Sequence, residues 1–302
     1  MKTQIVYSLI SSVSDYYLEQ LMISIYSLHL YNPEAKVIVV TDSSTVQSLV
    51  GWRACIKDMI DELKVVPMPE GYNNMQCSRY LKTNLRKFLT GDYLFIDTDT
   101  IISDSLADID STKANIALVA DCNAALTLTE QATIERCELG GFGGMKGKSY
   151  FNSGVMWVRD TQLASLFYEE WYKQWQCSVS KGLSLDQPSM NYTNHQKGDL
   201  IKELPGSWNC QIFFEGWDYL PQAKIIHYAG GGHQEKMQKL YTLVREQGVD
   251  SPFIQSLLAS PKIKFYAYLT NQIANRKAMF LLYLYVNYNK LYHFMFDSHD
   301  KK

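Results

Sequence analysis

Apolar positions along this chain alternate between two periods. Residues 4–9 and 36–41 are β-branched or apolar runs bounded by turn formers, and between them Leu18, Leu21, Met22, Ile25 and Leu28 repeat at helical spacing. The pattern predicts a β-α-β unit with its helix over 15–30. Short strands are expected at 63–67, Tyr93–Ile96 and Ile116–Ala120, separated by helical stretches over 45–63 and 76–89. The second half supplies a strand over 150–158, a helix over 161–175, a helix from about Leu185 and a strand over 224–227. Strands alternating with helices predict an α/β fold with a mostly parallel, doubly wound sheet. From Ser251 the character changes to a helical pattern rich in Tyr, Phe and Leu, so a core domain over 1–250 and a helical appendage over 251–302 are expected.

Composition narrows the function. The 302 residues can bury a sizeable core, and 29 Lys plus Arg against 31 Asp plus Glu leave a formal charge of -2, without the basic surplus of a nucleic-acid binder. Six cysteines stand singly with no CxxC, which excludes a zinc knuckle or a disulfide scaffold and suggests reduced thiols in a cytoplasmic protein. Met1 leads directly into a strand-like run, with no signal-peptide pattern. The longest apolar run, 278–286, falls short of the roughly 20 residues a spanning helix needs.

The first candidate chemistry lies where the apolar run Tyr93–Ile96 ends in Asp97-Thr98-Asp99. In open α/β sheets ligands bind beyond the carboxyl ends of strands, and two oxygen donors there suit a hard divalent cation bridging phosphates. An aspartyl-phosphate phosphatase also opens with Asp-x-Asp, but Ile101 stands where that class has Thr or Val, and no Asp-Asp pair follows. The stretch Gly140 to Ser149 ends in Gly-Lys-Ser, yet Phe142 replaces the first glycine of a phosphate loop and a strand follows, so a mobile glycine-rich loop is expected. Within 150–158, Asn152-Ser153-Gly154 interrupts a strand. Glycine there marks a bulge or close approach, and Asn152 offers an amide able to fork onto sugar hydroxyls. Asp186-Gln187 opens a helix and, taken alone, reads as a cap. His227 ends a strand ahead of glycines, a place suited to a third metal ligand.

In this order the pieces resemble glycosyltransferase family 8, retaining nucleotide-sugar transferases that include glycogenin and bacterial lipopolysaccharide galactosyl- and glucosyltransferases. The resemblance covers roughly 3–235 and rests on Phe95 to Asp99, Phe151 to Val155, Asp186-Gln187, Trp208-Asn209 and His227 to Gly230. It implies a GT-A-type fold and an enzyme that moves a hexose from a nucleotide-sugar, with UDP-Gal or UDP-Glc expected, to a glycan or lipid-linked acceptor in bacterial surface polysaccharide synthesis. Asp97, Asp99 and His227 are implied to hold Mn2+ or Mg2+. Ser8, Tyr17, Lys82, Asp97, Thr98, Ser153, Gly154, Gly230 and His233 are implied donor contacts, with Tyr17 against the nucleobase and Lys82 in place of a customary arginine. Asn152, Asp186 and Gln187 are implied to meet the transferred sugar.

The chain departs from the family pattern at two further places. Ser14, with Asp15 beside it, stands where an acidic residue commonly opens the nucleoside-holding helix. Gly231-Gly232-His233 replaces a Gly-x-x-Lys-Pro-Trp continuation, so the diphosphate's lysine becomes His233, Lys236 or Lys148. A non-catalytic nucleotide-sugar or glycan-binding protein on the same fold is the alternative reading. A nucleotidyltransferase, the third reading, would need a basic signature loop after the first strand, and Ser8 to Ser14 holds no Lys, Arg or Gly. In 261–302, seven Lys or Arg stand against Asp297 and Asp300, interleaved with ten Tyr or Phe. Such a segment suits the headgroup layer of an anionic membrane at the inner face, or a helix packed on the core.

Overall fold

A computed structural model describes residues 1–229 and 234–296. Gly230 and His233 lie outside the described residues, as does the end of the chain from 297. Ten strands form in chain order: β1 (Gln4–Leu9), β2 (Val37–Thr41), β3 (Glu62–Val65), β4 (Tyr93–Ile96), β5 (Thr100–Ile102), β6 (Ile116–Ala120), β7 (Phe151–Val158), β8 (Ile201–Glu203), β9 (Cys210–Gln211) and β10 (Ile225–His227). Seven make one sheet in the order β3-β2-β1-β4-β7-β6-β8, and β5-β10-β9 make a second. Only β7 is reversed in the large sheet, running antiparallel to β4 and β6, while every other pair in it is parallel.

The inner strands of the large sheet are apolar on both faces, as strands covered on both sides must be, while the edge strands β3 and β8 carry charged residues. Register lines Ile38, Val6, Phe95, Met156 and Leu118 across one face, and all five belong to one buried cluster. Their strand neighbours Val37, Ile5, Leu94, Trp157 and Ala117 point into the other. Helices Asn74–Thr83 and Gln162–Val179 cover the first face, with Leu81, Phe167 and Trp171 in its cluster. Helices Tyr17–Tyr31 and Gln234–Gln247 and the later Phe265, Tyr268, Leu282 and Tyr285 cover the second.

Two expected helices are broken by identifiable residues. The stretch 45–63 forms a short helix, Ser43–Ser48, then a 3-10 segment, Gly51–Asp58, because Val50 is extended and Gly51 takes φ +58°. The stretch 76–89 divides at Asn84 into Asn74–Thr83 and Leu85–Phe88. Helix Gln131–Leu139 and helix Gln234–Gln247 have no counterpart in the sequence reading. Nor is 140–149 the free loop expected: Phe142 and Met145 are buried with Ile134, Cys137 and Tyr150 in a small third cluster. All six cysteines are free, and burial pushes Cys122 and Cys210 up to about 12 and Cys137 up to about 11, which keeps these thiols protonated. Among the described residues no helix is long and apolar enough to cross a membrane.

Helix Gln234–Gln247 is fastened to the first β-α unit by charge. The Arg245 guanidinium donates to the Glu19 carboxylate and the Asp15 carbonyl, and lies 4.2 Å from the centre of the Tyr16 ring. Glu19 is 0% exposed, so removing its partner strands a buried charge. Arg245→Ala is expected to destabilise the protein by about 3 kcal/mol in denaturant unfolding, well beyond the effect of an ordinary surface substitution. A loss below about 0.5 kcal/mol would show that the pair contributes nothing net.

Candidate functional site

Strand β4 sets the site. Its four residues are buried, and the chain leaves the large sheet at Asp97 to re-enter as β5 in the small one. The Asp97 N–H donates to the Gly154 carbonyl at 2.7 Å, and the Thr100 hydroxyl donates to the Asp97 carbonyl at 2.8 Å, which fixes the turn between the sheets. In the small sheet β10 runs antiparallel to β5 with His227 opposite Thr100, and the Tyr228 N–H donates to the Asp99 carbonyl at 3.1 Å. These pairings bring the His227 Nε2 to 3.2 Å from the Asp99 Oδ1. One ligand atom from each of Asp97, Asp99 and His227 falls within 4.8 Å of the others.

Gly154 makes this approach possible. A Cβ there would stand 2.5 Å from the His227 Cε1 and 2.9 Å from the Asn152 Oδ1, so only glycine leaves room for the imidazole. Two carboxylate oxygens and one imidazole nitrogen converging from rigid strands fit a divalent cation, and the nitrogen makes Mn2+ at least as suitable as Mg2+. Burial pushes Asp97 up in spite of the nearby Lys82, with Asp99 adding to the rise. Asp99, equally opposed by burial, is held below the usual carboxylate range by His227.

A second charged group sits behind the first. Lys82, buried on its helix, donates to both oxygens of Asp97 at 3.1 Å and lies 3.6 Å from the Asp186 Oδ2. The Arg79 Nε is 2.9 Å from the Asp186 Oδ1, and the Ser153 hydroxyl donates to Oδ2 at 2.9 Å. Burial raises the Asp186 pKa, but Lys82, Arg79 and Ser153 together hold it below the usual range. Asp186 therefore does not cap its helix, as its position in the sequence suggested; its side chain makes no capping bond to Gln187–Gln196. Beside it the Gln187 Oε1 accepts from the Ser153 N–H at 3.1 Å.

Asn152 also differs from expectation. Its Oδ1 accepts from the Gly154 N–H and the Asn209 Nδ2, both at 2.9 Å, while its Nδ2 donates to the Asp121 Oδ1 at 2.9 Å. Both ends of the amide thus have partners within the protein, and one Nδ2 hydrogen is left without one of these bonds.

Two cavities meet at the acidic turn. One of about 280 Å³ is lined by Ser8, Tyr17, Met75, Arg79, Asp97 and Thr98, and another of about 420 Å³ by Asp15, Tyr16, Tyr228, Met237 and Tyr241. Tyr17, Gln20 and Asp99 line both. The larger space of about 600 Å³ beside Arg86, Tyr168 and Tyr172 contains none of the expected site residues. The sequence reading missed Gln20, which accepts from the Thr98 hydroxyl at 3.1 Å and donates to Tyr241 at 2.9 Å, and it missed Arg79. Helical spacing from residues already singled out carried a signal for both: Gln20 is three positions after Tyr17, and Arg79 three before Lys82. The Asp15 carboxylate accepts from the Ser11 and Ser12 hydroxyls and the Ser12 and Tyr17 N–H groups, so it holds the turn into the helix. Lys236 places its ammonium 5.1 Å from the centre of the Tyr268 ring and lines neither cavity.

Comparison with known proteins gives a consistent picture. The sequence model described as "Glycosyl transferase family 8" matches residues 8–233. No protein with a curated description matches the sequence. Among solved structures, LgtC, a galactosyltransferase in complex with donor and acceptor sugar analogs, aligns at a TM-score of 0.55 and 13% identity over 80% of this chain and 95% of its own. The bifunctional glycosyltransferase WbbM aligns at 0.54 and 16% over 93% of this chain, which spans about half (51%) of the WbbM chain. GlyE of Streptococcus pneumoniae TIGR4 aligns at 0.53 and 14% over 85% of this chain and 64% of its own. At these identities the structures establish the α/β GT-A fold, including the mostly parallel sheet.

The ion cluster has a signature in pH. A carboxyl held low in the folded chain stabilises fully above its unfolded value, and that stabilisation disappears as the pH falls through the folded one. Asp186→Asn should therefore cost about 3 kcal/mol at neutral pH, and the gap to the wild type should close as the pH falls below about 4. Denaturant unfolding from pH 7 to pH 3 measures it, and a gap that stays constant would show that the carboxylate charge is not what the two cations require.

Proposed function

From the premise that the chain belongs to glycosyltransferase family 8 and is a glycosyltransferase acting on nucleotide-sugars, we propose that it is a metal-dependent hexosyltransferase using UDP-Gal or UDP-Glc, working with retention on a glycan or lipid-linked acceptor in bacterial surface polysaccharide assembly. The observation that carries the reading is the convergence of Asp97, Asp99 and His227 where two cavities share Tyr17 and Gln20. A bound divalent cation, Mn2+ or Mg2+, would neutralise the charge that gathers on the departing nucleoside diphosphate. Ser8 and Tyr17 would face the nucleoside, and Arg79 would reach from the wall of the smaller cavity toward the sugar and diphosphate.

The reaction breaks the bond from the anomeric carbon to the diphosphate oxygen and forms one to an acceptor hydroxyl on the same face. Both side chains that could attack from the opposite face are occupied, Gln187 by the Ser153 N–H and Asp186 by Arg79, Lys82 and Ser153. Their engagement favours front-face attack through an oxocarbenium-like state, with the leaving phosphate taking the acceptor's proton. The ionised Asp186 keeps lone pairs for the sugar's hydroxyls and opposes the positive charge growing on the ring.

The C-terminal helices support a location at an anionic membrane surface. Helix Arg276–Asn287 buries Leu282 and Tyr285, the latter stacked on Trp217 with ring centres 4.3 Å apart. Its outer side presents Phe280 at 59% exposure and Tyr283 at 46%, with Arg276 and Lys277, and continues to Tyr288 and Lys290. This arrangement of rings among cations suits lipid headgroups.

Two experiments test these readings. In a thermal-shift panel of UDP-, GDP-, ADP- and CMP-sugars, one UDP-hexose is expected to raise the melting temperature only with Mn2+, and Asp99→Asn should abolish the shift. A shift that is independent of metal, or a response to GDP-sugars instead, would reject the donor assignment. For the membrane, the double variant Phe280→Ser, Tyr283→Ser should lose most co-sedimentation with phosphatidylglycerol vesicles while its melting temperature is unchanged. Equal partitioning of variant and wild type would reject the surface.

A further inference from the structure

A file of hydrogen-bonded side chains runs behind the candidate cation site, from Asp121 through Asn152 and Asn209 to His227. Every link is 2.9 Å long, and its direction follows from one backbone group. The Gly154 N–H can only donate, so the Asn152 atom it meets is the carbonyl oxygen. The Asn152 amide nitrogen is thereby turned to the Asp121 carboxylate, an acceptor. Because the Asn152 oxygen accepts again, the Asn209 atom facing it is the amide nitrogen, and the Asn209 oxygen faces the His227 Nδ1. That oxygen can only accept. The His227 Nδ1 must therefore carry a proton.

We propose that Asn209 is a positioning residue that locks His227 in the Nδ1–H form and so presents the Nε2 lone pair toward the space beside Asp99. The inference rests on the cation reading above. A neutral imidazole has one donor and one acceptor nitrogen, and only the unprotonated nitrogen can bind a metal. With Nδ1 committed to Asn209, Nε2, 3.2 Å from Asp99, is the atom left for the ion. The lock is well enclosed: Asn209 is 0% and His227 3% exposed, and Gly154 lies against the Cε1–Nδ1 edge of the ring. Asn209 lines neither cavity, and its oxygen meets His227 while its amide nitrogen meets Asn152.

The test measures Mn2+ binding directly, from free Mn2+ by electron paramagnetic resonance, with no donor or acceptor present. In Asn209→Leu, which keeps the volume and removes the acceptor, the Kd for Mn2+ should rise about 10- to 100-fold, the range for loss of a partner behind a metal-bound histidine. Asn209→Asp keeps an oxygen for the Nδ1–H and loses only the donor to the Asn152 oxygen, so it should retain more affinity than Asn209→Leu and stay within about tenfold of the wild type. Both variants are melted in EDTA, so that a general loss of structure is distinguished from a specific loss of affinity. Wild-type affinity in a folded Asn209→Leu protein overturns the inference while leaving the cation site intact. Should Asn209→Leu not fold, Asn209→Asp decides, and a Kd raised more than tenfold overturns the lock. A wild-type protein that binds no Mn2+ overturns the cation reading and this inference with it.

Discussion

The site depends on Lys82. It is almost wholly buried, yet it reaches two carboxylates on different elements, Asp97 at the end of β4 and Asp186 at the start of helix Gln187–Gln196. An ammonium in that position is tolerable only because its charge is met at once by oxygen atoms, and the aspartates are tolerable for the same reason. Its stem lies against the core, with the ammonium 5.0 Å from the centre of the Phe95 ring. Arg79, one helical turn earlier, shares the load on Asp186. Strand β4, helix Asn74–Thr83 and helix Gln187–Gln196 are therefore held in register by electrostatics where the surrounding apolar packing stops.

Much of this was legible along the chain, for reasons that also mark the limits. Apolar runs announced β1, β2, β4, β6 and β7, because each is buried on both faces and reads as a continuous stretch. The same runs carry no direction, so the reversal of β7 could not be read from them. Strand β10 was expected over 224–227, but β5 and β9 have three and two residues, too few to establish a period, so the sheet the three form is not revealed by sequence pattern alone. The Asp-x-Asp turn and His227 stood out because polar groups follow apolar strands abruptly. Arg79 and Gln20 did not, since each acquires its meaning from partners far along the chain: Arg79 meets Asp186, and Gln20 meets Thr98 and Tyr241. Asn152 was recognised as special, but its bonds to Asp121 and Asn209 were not, because those partners lie far along the chain.

Charge bookkeeping at the turn argues for a fixed relation between the ion and the donor. Asp97, Asp99 and Asp186 bring three negative charges, and Lys82 and Arg79 bring two positive ones. A bound ion takes the Nε2 lone pair and so requires a neutral His227, and the protein groups of the cluster then sum to one net negative charge. A nucleoside diphosphate approaching through either cavity would meet a like charge close to Asp99, which lines both. A divalent cation reverses the sign, leaving one positive charge beside the diphosphate. Lys82 is taken up in balancing Asp97 and Asp186, and Arg79, on the cavity wall, already offsets Asp186, so these two cations alone do not reverse the sign. The electrostatics that hold the site together without a ligand thus make donor affinity depend on the ion, whatever sugar the donor carries.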